Sequence, residues 1–429
     1  MFNLYTFNPW WQQKEVDAAL KGKPREVFDQ IYDYIDTRQI ILLSGLRRVG
    51  KTTLLFLLID KLLGQDVDPY RILYFSFDEQ SSSIEEILKK YEADILKNNL
   101  NEIKTYIFLD EIQKLNNWGS KIKILYDMYP RMKIFLSESA SINLMKKTRE
   151  SLAGRFFDFK IEVLDFDQYL KFMDVEIDKD REDIFAVQIK RQFSYYLKTG
   201  GFIETFNLDQ DKLDKYFKET LLERVVFTDL PVIYRLDRPS LLFTLLKIIA
   251  NHPGFLLDYR HMASDLKIDQ RTLSNYISYL EYGLLVQKAY NFSPNFLTSE
   301  KKLKKIYLSN PAFTTSLAPD VNRGWLMEQY FINYLKARFF YRNPQKEEID
   351  VILESDNKPV PVEIKIRNKI KLKALNPMLK FLKKYDLKQG FVISEDTHEL
   401  FSKNQYQIEI IPYWKYWTLN RKLSLDKKS

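Results

Sequence analysis

The sequence predicts an α/β protein: a parallel sheet with helices on both faces, then a helical domain, then a small second α/β domain. Three observations predict it. Apolar runs alternate with amphipathic stretches through the first 165 residues, the pattern of a sheet covered on both sides. Residues 45–52 read Gly-Leu-Arg-Arg-Val-Gly-Lys-Thr, the P-loop pattern, between an apolar run and a helical one. Alternation of strand and helix then returns after residue 321.

The first block spans residues 1–165. Its strands are expected at Gln39–Leu43, Arg71–Phe77, Thr105–Leu109, Lys133–Leu136 and Phe157–Val163, with helices near Thr52–Leu63, Ile84–Asn99 and Trp118–Met128. Ligands of such sheets bind at the carboxyl ends of the strands. Block two, 166–320, is mostly helical. Helices at Ser240–Asn251, His261–Leu266 and Gln270–Tyr282 lead into strands at Leu284–Tyr290 and Lys304–Leu308, the outline of a winged helix. Block three, 321–429, reads as a helix from Gly324 to Ala337 and strands at Phe339–Arg342, Glu348–Leu353 and Val360–Ile366. A helix over Leu375–Tyr385 and strands at Gly390–Ser394 and Gln407–Pro412 complete it.

Composition excludes several chemistries. The chain of 429 residues has no cysteine and three histidines, so disulfides, thiolate zinc sites, cysteine nucleophiles and a histidine-rich metal site are out. No run approaches the ~20 apolar residues of a membrane span, and the first residues do not read as a signal peptide. A soluble, cytoplasmic protein with no membrane partner is expected. Lys and Arg number 66 against 58 Asp and Glu, a net charge of +8. Residues 361–429 hold 15 basic and 7 acidic side chains, also +8, so the excess sits in the last block. A basic module suits a nucleic acid, and a solvated basic tail is the plainer reading.

The P-loop fixes the first candidate site. The backbone of Gly45, Leu46, Arg47, Arg48, Val49 and Gly50 would wrap the phosphates of ATP, with Lys51 reaching the β- and γ-phosphates and Thr52 and Thr53 opening a helix whose positive end faces them. The Thr52 hydroxyl would bind Mg²⁺. Tyr106-Ile-Phe-Leu-Asp110-Glu111 is an apolar strand ending in two acids. Asp110 would hold the Mg²⁺ water shell, and Glu111 would orient and deprotonate the attacking water. A polar sensor of the γ-phosphate is expected at the end of the next strand, at Ser137 or Ser139.

The set Asn8-Pro-Trp-Trp11, Gly45–Thr53, Leu109-Asp-Glu-Ile-Gln113 with Trp118, Leu152-Ala-Gly-Arg155 and Gly200-Gly-Phe-Ile-Glu204 resembles a family of AAA-type ATPases of bacteria and archaea over essentially the whole chain. The resemblance implies an ASCE/AAA-type P-loop sheet. In that family the sensor strand usually ends Thr-Gly-Ser-Ser. Here it reads Ser137-Glu-Ser-Ala140, with Glu138 where glycine is usual. Arg155 matches the family's Leu-Ser/Ala-Gly-Arg element and is a candidate arginine finger; acting in trans, it would require a homo-oligomer.

Two further constellations lie downstream. Gln270, Arg271, Ser274 and Asn275 open the second helix of the winged-helix outline, where side chains of these types meet bases and phosphates. Lys301, Lys302, Lys304 and Lys305 would line the wing along the DNA backbone. In block three, Glu328, Asp350, Glu363 and Lys365 follow one another through helix, strand and strand. Glu363 and Lys365 share a strand face; Asp350 joins them if the strands pair as a hairpin. Three acids could hold Mg²⁺, with Lys365 assisting. This order resembles the PD-(D/E)xK superfamily and implies a restriction-endonuclease-like fold, with Ile349 in place of the usual proline.

The leading functional expectation is a Mg²⁺-dependent ATPase that couples nucleotide state to DNA binding, with nuclease activity an open question. The alternative is an ATP-driven regulatory or assembly switch whose C-terminal modules bind proteins and whose nuclease-like domain is inactive. A replication-initiator or loader relative would share the layout of ATPase and winged helix, but leaves Glu328, Asp350, Glu363 and Lys365 unexplained.

Overall fold

The computed structural model describes residues 3–78, 83–139, 152–234, 236–295, 299, 303–355 and 358–423. They form two compact units, divided between Val163 and Leu164.

Unit one is built on five parallel strands: β1 Ile40–Gly45, β2 Ile72–Ser76, β3 Thr105–Asp110, β4 Met132–Ser139 and β5 Phe156–Lys160. Their order is β2-β3-β4-β1-β5. Every residue of β3 and β4 is buried, as expected when helices cover both faces of a parallel sheet. The helices Lys51–Leu63, Ile84–Lys90 and Trp118–Met128 lie where the apolar periodicity places them. The second passes into a π-helical turn over Tyr91–Leu96 and stops at Lys97 in the left-handed conformation. Strand β4 outruns its expected end by three residues, because Ser137, Glu138 and Ser139 go on pairing with Leu43, Ser44 and Gly45.

The edge strand β2 is closed by the N-terminal segment. The Asn8 side chain donates to the Tyr74 carbonyl at 2.9 Å and accepts from the Tyr74 amide at 2.7 Å, in the manner of a further strand. Both Trp10 and Trp11 donate ring N–H groups to the Ile72 carbonyl, at 3.3 and 2.9 Å. An open strand edge invites pairing with another chain; Asn8-Pro-Trp-Trp11 covers this one.

Unit two carries a nine-stranded sheet: β6 Phe255–Leu256, β7 Val286–Asn291, β8 Lys304–Leu308, β9 Phe339–Arg342, β10 Glu348–Ser355, β11 Lys358–Lys365, β12 Gln389–Ser394, β13 Glu399–Lys403 and β14 Tyr406–Pro412. The order is β13-β14-β12-β11-β10-β9-β7-β8-β6. Helices Pro239–Asn251, Tyr259–Asp265 and Gln270–Tyr282 precede the β7–β8 hairpin, and β6 pairs with β8 as a third strand. The hairpin then joins the C-terminal strands: β7 pairs in parallel with β9 through Tyr290↔Phe339 and Asn291↔Phe340. Asn291 fastens this junction, donating to the Arg342 carbonyl and accepting from its amide, both at 2.9 Å. One sheet therefore runs across residue 320, where the sequence suggests a boundary.

Aromatic side chains fill the core of this unit. Phe166 contacts Tyr169, Phe193, Tyr196 and Tyr416. The last helix, Tyr416–Lys422, is held there by Glu182, which accepts from the Trp417 amide at 2.8 Å. The paired glycines of Gly200-Gly-Phe-Ile-Glu204 also act in packing. Gly200 ends the helix Ala186–Thr199 with φ +60°, and a Cβ on Gly201 would run into the Leu164 carbonyl. Among the described residues, no helix is long and apolar enough to cross a membrane.

Candidate functional site

The first site lies at the carboxyl ends of β1, β3 and β4. Strand β1 ends at Gly45, where a Cβ would strike the Ile161 carbonyl oxygen, so only glycine fits. The loop turns through Arg48 at φ +65° and Gly50 at φ +89° before the helix begins at Lys51. Alternating backbone handedness of this kind aims successive amides into one concavity, an anion nest. Leu46 and Val49 are buried and anchor the loop, leaving Arg47 half-buried and Arg48 exposed. Thr53, half-buried, sits on the first helical turn.

Lys51 is buried, and its Nζ donates to the loop's own carbonyls, Gly45 at 3.1 Å and Leu46 at 2.8 Å. Burial lowers its pKa, against the pull of Glu111 and Asp110. Thr52 Oγ1 donates to Asp110 Oδ2 at 2.7 Å, which places two hard oxygen donors side by side, the type Mg²⁺ takes. These residues fit a Mg²⁺ ion that would neutralise the β- and γ-phosphates.

Three further residues brace the two acids and the loop. The Tyr74 hydroxyl donates to Asp110 Oδ2 at 2.8 Å, and burial with the Asp110 charge raises its pKa far above the phenol range. Glu111 stands in the left-handed region at φ +53°, a conformation that costs a non-glycine residue about 1–2 kcal/mol and concentrates at functional sites. Gln113 donates its side-chain amide to Glu111 Oε2. The third is Arg25, whose guanidinium bonds the Val49 carbonyl at 2.9 Å and the Glu162 carbonyl at 2.7 Å, tying the loop to the chain after β5. Of these, only Gln113 had a sequence signal, its place in Leu109-Asp-Glu-Ile-Gln113.

Both candidate sensor serines are engaged. Ser137 donates to Asp110 Oδ1 and accepts from the Glu111 amide at 3.1 Å; Ser139 donates to Glu111 Oε1 at 2.6 Å. Alternation along β4 sends Glu138 to the opposite face. It is 1 % exposed, and neither carboxylate oxygen has a hydrogen-bond partner among the described residues. Burial first, then the negative Asp158, pushes its pKa up to about 8. Ala140 of this element lies outside the described residues.

Arg155 is not at this site within its own chain. Its guanidinium makes a two-pronged pair with Asp127, at 3.1 and 3.3 Å, and its carbonyl accepts from the Ile40 amide at the start of β1. That is the amino end of the strands, roughly 16 Å from the loop at ~3.3 Å per residue. The sequence left open whether an Arg155 finger would act in cis or in trans, and this placement speaks against action in cis.

The second constellation is partly assembled. Pairing of Val351 with Val362 sets Asp350 opposite Glu363. The Asp350 amide donates to Glu363 Oε2 at 3.3 Å, the Ile364 amide donates to Asp350 Oδ2 at 2.8 Å, and Lys365 pairs with Glu363. Burial, with the Asp350 charge, holds the Glu363 carboxyl well above the usual range; Lys365 opposes this. Glu328, on the helix Arg323–Tyr334, is turned to other partners. Its Oε1 accepts from Lys305 Nζ at 2.9 Å and from the Tyr307 hydroxyl at 2.7 Å. Among the described residues, no group of three or more acids or histidines is placed to hold a metal ion. The expected triad Glu328, Asp350 and Glu363 is thus not gathered as metal ligands.

Lys305 also corrects the reading of the wing. It is 5 % exposed and cannot follow a DNA backbone. Lys304 is half-buried over the Tyr290 ring, and Lys301 and Lys302 lie outside the described residues. At the start of the helix Gln270–Tyr282, Gln270, Arg271 and Asn275 are exposed and Ser274 is half-buried. Arg260, His261 and Lys267 are exposed on the preceding helix and turn.

Comparison with known proteins bears on the first unit most directly. Residues 37–170 match the family model described as an AAA domain. This stretch, which holds the five-stranded parallel sheet, the loop and the two acids, is therefore similar to AAA domains. Residues 190–336 and 323–416 match two families described as domains of unknown function, DUF8612 and DUF4143. Two uncharacterised proteins of Methanocaldococcus jannaschii are similar along most of the chain. One is 26 % identical, covering 89 % of this chain and 88 % of that protein; the other is 29 % identical, covering 90 % and 85 %. Among solved structures, the Walker-type ATPase of Pyrococcus abyssi is 17 % identical with a TM-score of 0.41, covering 68 % of this chain and 95 % of that one.

Proposed function

We propose that this chain is a Mg²⁺-dependent ATPase whose nucleotide state controls DNA binding by its second unit. The observation that carries the enzymatic half is the joined pair of acids. Asp110 is shared by Thr52, Tyr74 and Ser137, and Glu111 beside it is held by Ser139 and Gln113. In this reading Lys51 leaves its loop carbonyls for the phosphates, Thr52 and Asp110 hold Mg²⁺, and Glu111 takes the proton of the attacking water.

The DNA half rests on the helix–strand–helix–helix–hairpin order of residues 239–308, which we read as a winged helix. Its third helix, Gln270–Tyr282, presents exposed Gln270, Arg271 and Asn275 at its start. The charge of residues 361–429 favours the same partner. We read the α/β module that follows as PD-(D/E)xK-like and as holding DNA rather than cutting it. Fluorescence anisotropy of labelled duplex DNA, with ATP, ADP or no nucleotide, tests the coupling. Affinity should differ at least tenfold between nucleotide states in the wild type and not in Lys51→Ala; equal affinities in all states would defeat it.

One observation favours the switch reading. Glu138, a buried carboxyl without a hydrogen-bond partner among the described residues, lies within electrostatic reach of Lys51. With its pKa pushed up to about 8, Glu138 gains negative charge as pH rises toward that value, where it would compete with phosphate for the lysine, which suits slow turnover and a long-lived bound state.

A further inference from the structure

The acidic cluster of the second unit already contains its cation. Lys305 Nζ reaches Glu328 Oε1 at 2.9 Å and Glu348 Oε1 at 2.5 Å, with its side chain 6 % exposed. The other oxygen of Glu348 takes Arg342 at 2.7 Å, and Lys365 pairs with Glu363. Three carboxylates, Glu328, Glu348 and Glu363, therefore pair with three resident cations, Lys305, Arg342 and Lys365, and Asp350 stands beside Glu363. The Tyr307 hydroxyl donates to the same Glu328 oxygen as Lys305, and the amides of Asp350 and Ile364 take up Glu363 Oε2 and Asp350 Oδ2.

A divalent metal does not fit this donor set. It needs several oxygens free to converge at about 2.0–2.6 Å, and here one oxygen each of Glu328 and Glu348 converges on the Lys305 ammonium while the other Glu348 oxygen is taken by Arg342. A metal entering between the helix Arg323–Tyr334 and β10 would also stand against Lys305, a like charge at short range in a poorly solvated place. Alternation on β8 puts Lys305 and Tyr307 on one face, so strand and helix close over the acids together.

We propose that Lys305 is the resident cation of this module and occupies the place a divalent metal would take, so that the module folds and works without one. Metal-dependent cleavage of a phosphodiester is then no property of this cluster, and its charged groups serve to join the β7–β8 hairpin, the helix Arg323–Tyr334 and β10 into one body.

The test uses the full chain carrying Asp110→Asn, which weakens any Mn²⁺ site at the P-loop, without nucleotide. Bound Mn²⁺ is counted by electron paramagnetic resonance at millimolar metal. The count should be the same when Asp350→Asn is added; loss of one bound ion on that addition would overturn the proposal. Lys305→Met in the same background should gain one Mn²⁺ ion that Asp350→Asn removes. If Lys305→Met folds and gains none, the proposal also fails; if it does not fold, the Asp350→Asn comparison still decides.

Discussion

Thr52 and Asp110 stand 58 residues apart in the chain and meet at 2.7 Å, Oγ1 to Oδ2, across the mouth of the loop. The contact joins the first turn of the P-loop helix to the end of β3, with β4 lying between β3 and β1 in the sheet. Thr52→Ala should therefore abolish most of the gain in ATP affinity that Mg²⁺ provides while leaving Mg²⁺-free binding nearly unchanged. Loss of a charge-assisted contact of this kind is worth about 1.5–3 kcal/mol, or roughly tenfold and upward in Kd. Titration of a fluorescent ATP analogue with and without Mg²⁺ reads it.

Glu138 predicts a pH dependence. Its pKa is raised from 4.5 to about 8 by burial and by Asp158, so the folded state holds a proton that the unfolded chain releases. The stability from this group is complete below about pH 4.5 and is lost as pH rises to about 8. Glu138→Gln should remove that slope. The two proteins' unfolding free energies should diverge in the mutant's favour by about 4 kcal/mol between pH 5 and pH 9. Urea unfolding of the first unit at the two pH values checks it, and parallel curves would count against a buried neutral Glu138.

Asn8 predicts a stability effect far from the chemistry. Asn8→Ala leaves the amide and carbonyl of Tyr74 unpaired at a buried edge. A loss of about 2–4 kcal/mol is expected, because each orphaned buried group costs about 1–3 kcal/mol less whatever water restores. The exposed β2 edge should also raise the tendency to aggregate. Thermal melts with light scattering report both.

Arg271 predicts the DNA contact. Arg271→Ala should weaken duplex binding by about 1–3 kcal/mol and lower the salt dependence, with ATP turnover unchanged. Unaltered affinity and salt slope would remove this helix from the interface.

Much of the first unit was legible because its signals are local. The glycines, Lys51 and Thr52 act within a few residues of one another, the apolar strand ending in Asp110-Glu111 is a second pattern complete in itself, and hydrophobic periodicity places the strands around them. What was not legible depends on distant partners. Asn8 and Tyr74 are 66 residues apart, and no pattern in either segment announces that a side chain will finish a strand edge. Lys305 reads like Lys304 beside it; only the tertiary placement of Glu328 and Glu348 distinguishes a buried cation from a wing lysine. Arg155 fits its family element, yet its short distance in sequence from β4 says nothing about which end of the sheet it occupies. The exposed edge strand β13 has no apolar alternation to reveal it, with Glu399, Leu400, Ser402 and Lys403 all facing solvent.

The central claim is that Glu111 is the general base of an ATPase built on Gly45–Thr52. Single-turnover hydrolysis of ATP by wild type and Glu111→Gln, beside equilibrium ATP binding, tests it most directly. Glu111→Gln should bind Mg²⁺-ATP within about threefold of wild type and hydrolyse it at least ~100-fold more slowly, as expected for loss of general-base assistance. Hydrolysis at the wild-type rate by Glu111→Gln, or by a Lys51→Ala chain, would contradict it.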